Sequence, residues 1–170
     1  IFFTPGHYSL NAPIQVNRKD AILLGAGIAS VTLEPTEKNT WGCIYADDKD
    51  GIIIAGLLMD SLNSTTYQVR VGNEGANADH SGNPILVTDI TCRVGGVQSK
   101  NIQIQASMQI NSNNVVGDHF WLWRADHGSQ KGGDARWVRD RCKNGLIVKG
   151  NDVTLYALFV EHFQEYEVLW

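Results

Sequence analysis

Polar turns followed by alternating apolar strands recur along this chain roughly every thirty to forty residues. Aligned at their first apolar residue, five such stretches begin at Ile22, Ile52, Ile85, Val115 and Val153. In the last four, apolar residues fall at the first, sixth and eighth places: Ile52, Leu57, Met59; Ile85, Ile90, Cys92; Val115, Phe120, Leu122; Val153, Leu158, Val160. A strand turns successive side chains to opposite faces, so this spacing breaks period two once, between the third and sixth places. There the pattern predicts a corner, occupied by Gly56, Asp89, His119 and Ala157. No window of a dozen residues carries the i, i+3, i+4, i+7 stripe of a helix. Such a rung cannot bury its own apolar edge and needs a rung above and below at the ~4.8 Å strand spacing. The pattern therefore predicts an all-β chain, one domain over residues 1–170, wound as a right-handed parallel β-helix, or solenoid.

Its ends read differently. Residues 1–10 suit an opening turn: a strand, a Pro5-Gly6 turn and a second strand. Residues 161–170 close on Val168, Leu169 and Trp170 without the polar face that terminal repeats carry. The expectation is a domain incomplete at its C-terminal end, a fragment of a longer helix or one covered there by another chain.

Composition narrows the partners. With 43% hydrophobic and 19% charged residues the chain can bury a core. Its net charge is −4, and no run of Lys or Arg exceeds two, which excludes the footprint of a nucleic-acid or anionic-membrane binder. No apolar run approaches the ~20 residues of a membrane span. Cys43, Cys92 and Cys142 are odd in number and form no CxxC pair, so neither a disulfide framework nor a zinc site is indicated; Cys92 falls on the inward register. No HxH or HExxH spacing is present, and no metal or other cofactor is expected.

The register that buries Leu57, Ile90, Phe120 and Leu158 puts their neighbours outside in two columns: Leu58, Thr91, Trp121, Phe159, and Asp60, Arg93, Trp123, Glu161. Exposed aromatic rings on a parallel wall suit the C–H face of a sugar, while carboxylates and guanidinium groups bond its hydroxyls. Trp121, Trp123, Arg124, His127 and His162 are the expected substrate contacts. In the alternative, loops 73–83 and 128–144 fold back over this face and make the aromatics a second core; Asp79-His80 is then a lid candidate.

Asp118-His119 and Asp126-His127 bracket the Trp121–Arg124 strand, and Glu161-His162 ends the next rung. Glycoside hydrolysis needs two carboxyl groups about the scissile bond, ~5–5.5 Å apart for retention and ~6.5–9.5 Å for inversion. Neighbouring rungs supply such separations. Asp126 and Glu161 are the candidate acid and base, Asp118 a third, with His127 or Arg124 tuning a neighbour's proton affinity. A ladder of solvated turn residues is the competing reading. Asp47, Asp48 and Asp50 form an acidic turn whose interposed Lys49 argues against calcium.

Residues 1–10, with Ile14-Gln-Val and Leu24-Gly-Ala-Gly, resemble the first turns of the pectate-lyase-like β-helix superfamily. Residues 117–128 and 144–170, which include Phe-Trp-Leu-Trp-Arg-Ala-Asp-His and Leu-Phe-Val-Glu-His-Phe-Gln, resemble secreted proteins similar to α-1,3-glucanase-type glycoside hydrolases. The resemblance implies an extracellular location, a polysaccharide partner and hydrolysis of a glucan. It also implies relatives that continue past Trp170 with further rungs. The reading from another class is a non-catalytic structural or adhesive solenoid that binds glycan or assembles with other chains.

Overall fold

A computed structural model describes residues 1–95, 101–126 and 138–170. Among them every element is a strand and every strand pairing is parallel. One sheet stacks β1 (Phe2–Phe3), β4 (Ile22–Gly25), β7 (Ile53–Ser61), β9 (Ile85–Val94), β11 (Val115–Arg124) and β13 (Thr154–Glu161), with β2 (Gly6–Leu10) on β5 (Val31–Pro35) and β5 on the second half of β7. The other stacks β3 (Ile14–Val16), β6 (Ile44–Ala46), β8 (Thr65–Val71), β10 (Gln103–Ile110), β12 (Arg141–Val148) and β14 (Tyr166–Leu169). The chain is a parallel β-helix.

The corner falls where the spacing puts it. Gly56, Asp89, His119 and Ala157 lie one above another with φ of 69°, 50°, 54° and 47°. A left-handed residue in mid-strand turns the chain through a bend, so the long strands divide into a first and a second wall, and the other sheet closes a three-walled section. Gly56 is required twice over: its φ suits glycine, and a Cβ there would stand 2.6 Å from the carbonyl oxygen of Gly25. Asp and His enter this region at lower cost than most side chains. Ala157 has no such compensation and carries about 1–2 kcal/mol of strain.

The inward columns run as the pattern requires. Ile52, Ile85 and Val115 are fully buried on the first wall, and Leu57, Ile90 and Phe120 on the second, each side chain contributing about 1.5–3 kcal/mol by leaving water. Val153, Leu158 and Val160 pack on the same core while partly exposed. Phe120 fits where smaller residues stand in other rungs because Gly117 makes room; a Cβ at Gly117 would lie 2.7 Å from its ring. One expectation is corrected. Ile22 pairs with Ile53, so Ala21 begins the first rung and Ile22 faces outward. The alignment was offset because Ala21 is too small to register as the first apolar residue.

One buried polar network is paired across walls. Gln68, fully buried, donates from Nε2 to the carbonyls of Met59 (3.2 Å) and Arg93 (2.8 Å) and accepts from Ser107 Oγ at 2.8 Å, which ties the second wall to the third.

Candidate functional site

The two outward columns form on the second wall as the spacing predicts. Leu58, Thr91, Trp121 and Phe159 are register partners, as are Asp60, Arg93, Trp123 and Glu161. Their chemistry changes along the wall. In the rungs of β7 and β9, Asp60 and Thr91 are buried and Arg93 is paired to Asp60, whose hydrogen bond raises the guanidinium pKa above its ordinary value. In the rungs of β11 and β13 the wall opens, with Trp121 43% and Phe159 68% exposed.

The open part is ordered by its own contacts. Trp121 and Trp123 stack with ring centres 5.5 Å apart and planes 19° from parallel. The indole Nε1 of Trp121 donates to Glu161 Oε1 at 2.7 Å. Glu161 Oε2 and Asp126 Oδ2 both face Nε2 of His162, at 3.7 and 3.6 Å. Meeting at one nitrogen, the two carboxylates lie within roughly 7 Å of each other, compatible with the ~5–5.5 Å of a retaining pair or the lower end of the ~6.5–9.5 Å of an inverting pair. The spacing put Asp126 and Glu161 on neighbouring rungs; the fold brings them and His162 to one point beside an aromatic face. A cavity of about 200 Å³ adjoins it, lined by Ile28, Asp89, His119, Trp121 and Phe159 among others.

Other expectations fall elsewhere. Asp118 sits before the corner, its Oδ2 2.9 Å from His119 Nδ1, whereas Asp126 and Glu161 face His162. Arg124, expected to touch substrate, is fully buried instead, and its Nε donates to the carbonyl of His162. Burial lowers its pKa, opposed by the charges of Asp126, Asp140 and Glu167, so it acts from beneath the site. His127 and most of loop 128–144 lie outside the described residues, and β12 already begins at Arg141. The three cysteines are free and buried; burial pushes the Cys142 thiol up to about 12 and raises Cys43 and Cys92 as well, which removes them as nucleophiles.

Loop 73–83 covers a different surface from the one expected. Asp79-His80 is no lid: His80 is 1% exposed, with Nδ1 2.8 Å from Asp50 Oδ1 and Nε2 2.8 Å from Asp48 Oδ1. Carboxylates only accept, so this arrangement is met by an imidazolium donating twice. Burial disfavours the charged ring, yet the two carboxylates hold its pKa above the ordinary value. Burial likewise opposes the charge on Asp48, but hydrogen bonds from His80, Ser112 Oγ (2.6 Å) and the Ala78 amide (3.0 Å) hold its carboxyl below the usual range. Asp50 is lowered by His80 and by Lys19, 3.0 Å away. The acidic turn of Asp48 and Asp50 is thus half of a closed clamp.

A further cavity, about 530 Å³, lies on the third wall and was missed. Its signal was present as two alternating polar pairs, Gln103-x-Gln105 and Arg141-x-Lys143, at the starts of β10 and β12.

Comparison with known proteins adds a family. The model of the LAM55 pectate lyase-like domain matches residues 1–170. An exo-beta-1,3-glucanase of Streptomyces sp. (strain SirexAA-E / ActE) is 39% identical over 172 residues, covering all of this chain and 27% of that enzyme. Two solved structures of sacteLam55A from Streptomyces sp. SirexAA-E, one of a variant in complex with glucose, superpose with a TM-score of 0.86 at 37% identity, over 98% of this chain and 29% of theirs. The chain thus spans between a quarter and a third of the length of these relatives. The curated relative's name specifies a β-1,3 linkage, where the resemblance in the sequence pointed to α-1,3-glucanases.

Proposed function

The chain belongs to the LAM55 pectate lyase-like family, and from that premise we propose that it forms part of a secreted glycoside hydrolase acting on a β-1,3-glucan. One observation carries the proposal: Asp126 and Glu161, from neighbouring rungs, face the same exposed histidine nitrogen beside the Trp121–Trp123 stack. A pyranose lying on Trp121 places its glycosidic oxygen near both carboxyl groups. Glu161 is held by the indole N–H on one oxygen, which leaves Oε2 to take a proton from water, and we assign it the base role. Asp126 is the acid that protonates the leaving oxygen, and Nε2 of His162 lies between the two, 3.6 Å from Asp126 and 3.7 Å from Glu161. Phe159 and the adjoining cavity receive the neighbouring sugar.

The test is reducing-sugar release from β-1,3-, α-1,3- and β-1,4-glucans by the full-length protein carrying this chain. Asp126→Asn and Glu161→Gln should each lower turnover on the β-1,3-glucan by about 10²–10⁴-fold. Unchanged turnover in both variants overturns the assignment.

A second reading has its own support. Strands β13 and β14 expose Tyr156, Tyr166, Val168 and Leu169, a surface that suits cover by further rungs or by another chain. Should full-length protein leave every glucan intact while chains associate through these strands, the structural solenoid replaces the hydrolase.

A further inference from the structure

The third wall carries an exposed indole and a cavity of about 530 Å³, and neither belongs to the site just described. Trp41 precedes β6 and is 56% exposed, and its ring meets Tyr45 edge-on at 6.2 Å and 77°. Tyr45 is itself held, its hydroxyl donating to the Trp41 carbonyl at 3.2 Å and its ring covered by the Arg70 guanidinium 4.0 Å away. Arg70 in turn donates to Asn73 Oδ1 at 3.2 Å. An exposed indole braced along one edge has less freedom to lose when a ligand lies on it.

The register continues outward from Trp41. The amide of Tyr67 donates to the Trp41 carbonyl, which sets Trp41 opposite Thr66; the pairings of β8, β10, β12 and β14 then carry the column on through Gln105, Lys143 and Glu165. Gln103 and Arg141 form a second column beside it and, with Gln105, Lys143 and Glu165, line the cavity. The result is a strip about four strand spacings long, at ~4.8 Å each, with an aromatic platform at one end and amides and charges of both signs along it. A nucleic acid wants uniform positive charge, and a protein partner wants an apolar centre. Alternating donors and acceptors beside one indole suit a neutral polymer of regular repeat whose units offer a C–H face and a rim of hydroxyls.

We infer that the third wall, from Trp41 to the groove of Gln103, Gln105, Arg141 and Lys143, is a second polysaccharide-binding surface that holds glucan chain away from the Trp121 wall. It shares only the ligand class with the proposed function, because no residue of it lies on the second wall.

The experiment is affinity electrophoresis of the chain through native gels containing a soluble β-1,3-glucan, with a soluble α-1,4-glucan as control. The variants are Trp41→Ala, Gln105→Ala and Trp121→Ala. Trp41→Ala should weaken binding roughly tenfold and Gln105→Ala a few-fold, with Trp121→Ala additive to either. In full-length protein, Trp41→Ala should leave turnover of a short soluble oligosaccharide unchanged. Equal retardation of wild type, Trp41→Ala and Gln105→Ala, with binding abolished by Trp121→Ala, overturns the second surface and leaves the hydrolase reading intact. Binding that depends on Trp41 in a protein that hydrolyses no glucan supports the surface and sinks the hydrolase instead. Absence of any retardation of the wild-type chain also overturns it.

Discussion

His80 and His162 each lie between two carboxylates, one in the closed corner of the early rungs and the other on the open wall of the late ones. Around His80 both ring nitrogens stand 2.8 Å from carboxylate oxygens and the side chain is 1% exposed. Around His162 two carboxylates share one nitrogen at 3.6 and 3.7 Å, and the side chain is 42% exposed. The same contrast runs through the walls: Asp60 and Arg93 seal the outward face of β7 and β9, whereas Trp121, Phe159 and Glu161 leave that of β11 and β13 accessible. Equal residue types thus serve opposite ends. A cluster sealed from water stabilises the protein, and one open to water can exchange protons with a ligand.

That contrast breaks most visibly at His80. Replacing it removes one partner from a buried ionic network, so His80→Gln should cost about 3 kcal/mol in chemical denaturation. His162→Gln, on the exposed wall, should change stability by less than about 0.5 kcal/mol while lowering glucan turnover. Equal destabilisation by the two would erase the distinction.

A smaller effect follows from pH. His80 has a raised pKa, so its contribution is full below about pH 6.5 and fades as pH climbs through the raised value. Asp48 and Asp50 have lowered values, so theirs is full above about pH 4 and fades as pH falls through them. The protection factors of loop 73–83, taken from hydrogen-exchange rates corrected for the intrinsic pH dependence of amide exchange, should be highest between those limits and fall on either side. His80→Gln should flatten the alkaline limb; an alkaline limb that survives the substitution assigns the effect to another group.

The least effect concerns the corner. Ala157 holds φ 47° without the freedom that Gly56 has at the same place two rungs below β11. Ala157→Gly should stabilise the chain by about 1 kcal/mol with the Asp126–His162–Glu161 contacts unchanged. A loss of stability would show that the methyl group packs usefully against the neighbouring cavity.

Much of this was legible in the residues because a solenoid repeats one rule. Period two, interrupted once per rung, fixed which residues stack inside, where the corner falls and which columns Trp121 and Glu161 occupy, since parallel stacking leaves a residue only the place of its equivalent one rung away. The same rule set Asp126 near the end of β11 and made it a partner for the next rung. Where side chains deviate from the rule, the sequence was silent. Ala21 hid the start of the first rung by being small. Loop 73–83 has no period, so nothing in it foretold that His80 would fold against Asp48 and Asp50, thirty-two and thirty residues earlier in the chain.

What the amino-acid pattern by itself determined was the winding, the inward and outward columns and the aromatic face, because each depends on the direction a side chain takes from its strand. The tertiary structure alone decided that Arg124 lies beneath the site, that Asp118 turns to His119, and that one histidine is sealed while the other stays open. Those outcomes depend on which loop covers which wall and on distances of a few ångströms between rungs, and burial and hydrogen-bond geometry are properties of the assembled surfaces that no spacing along the chain encodes.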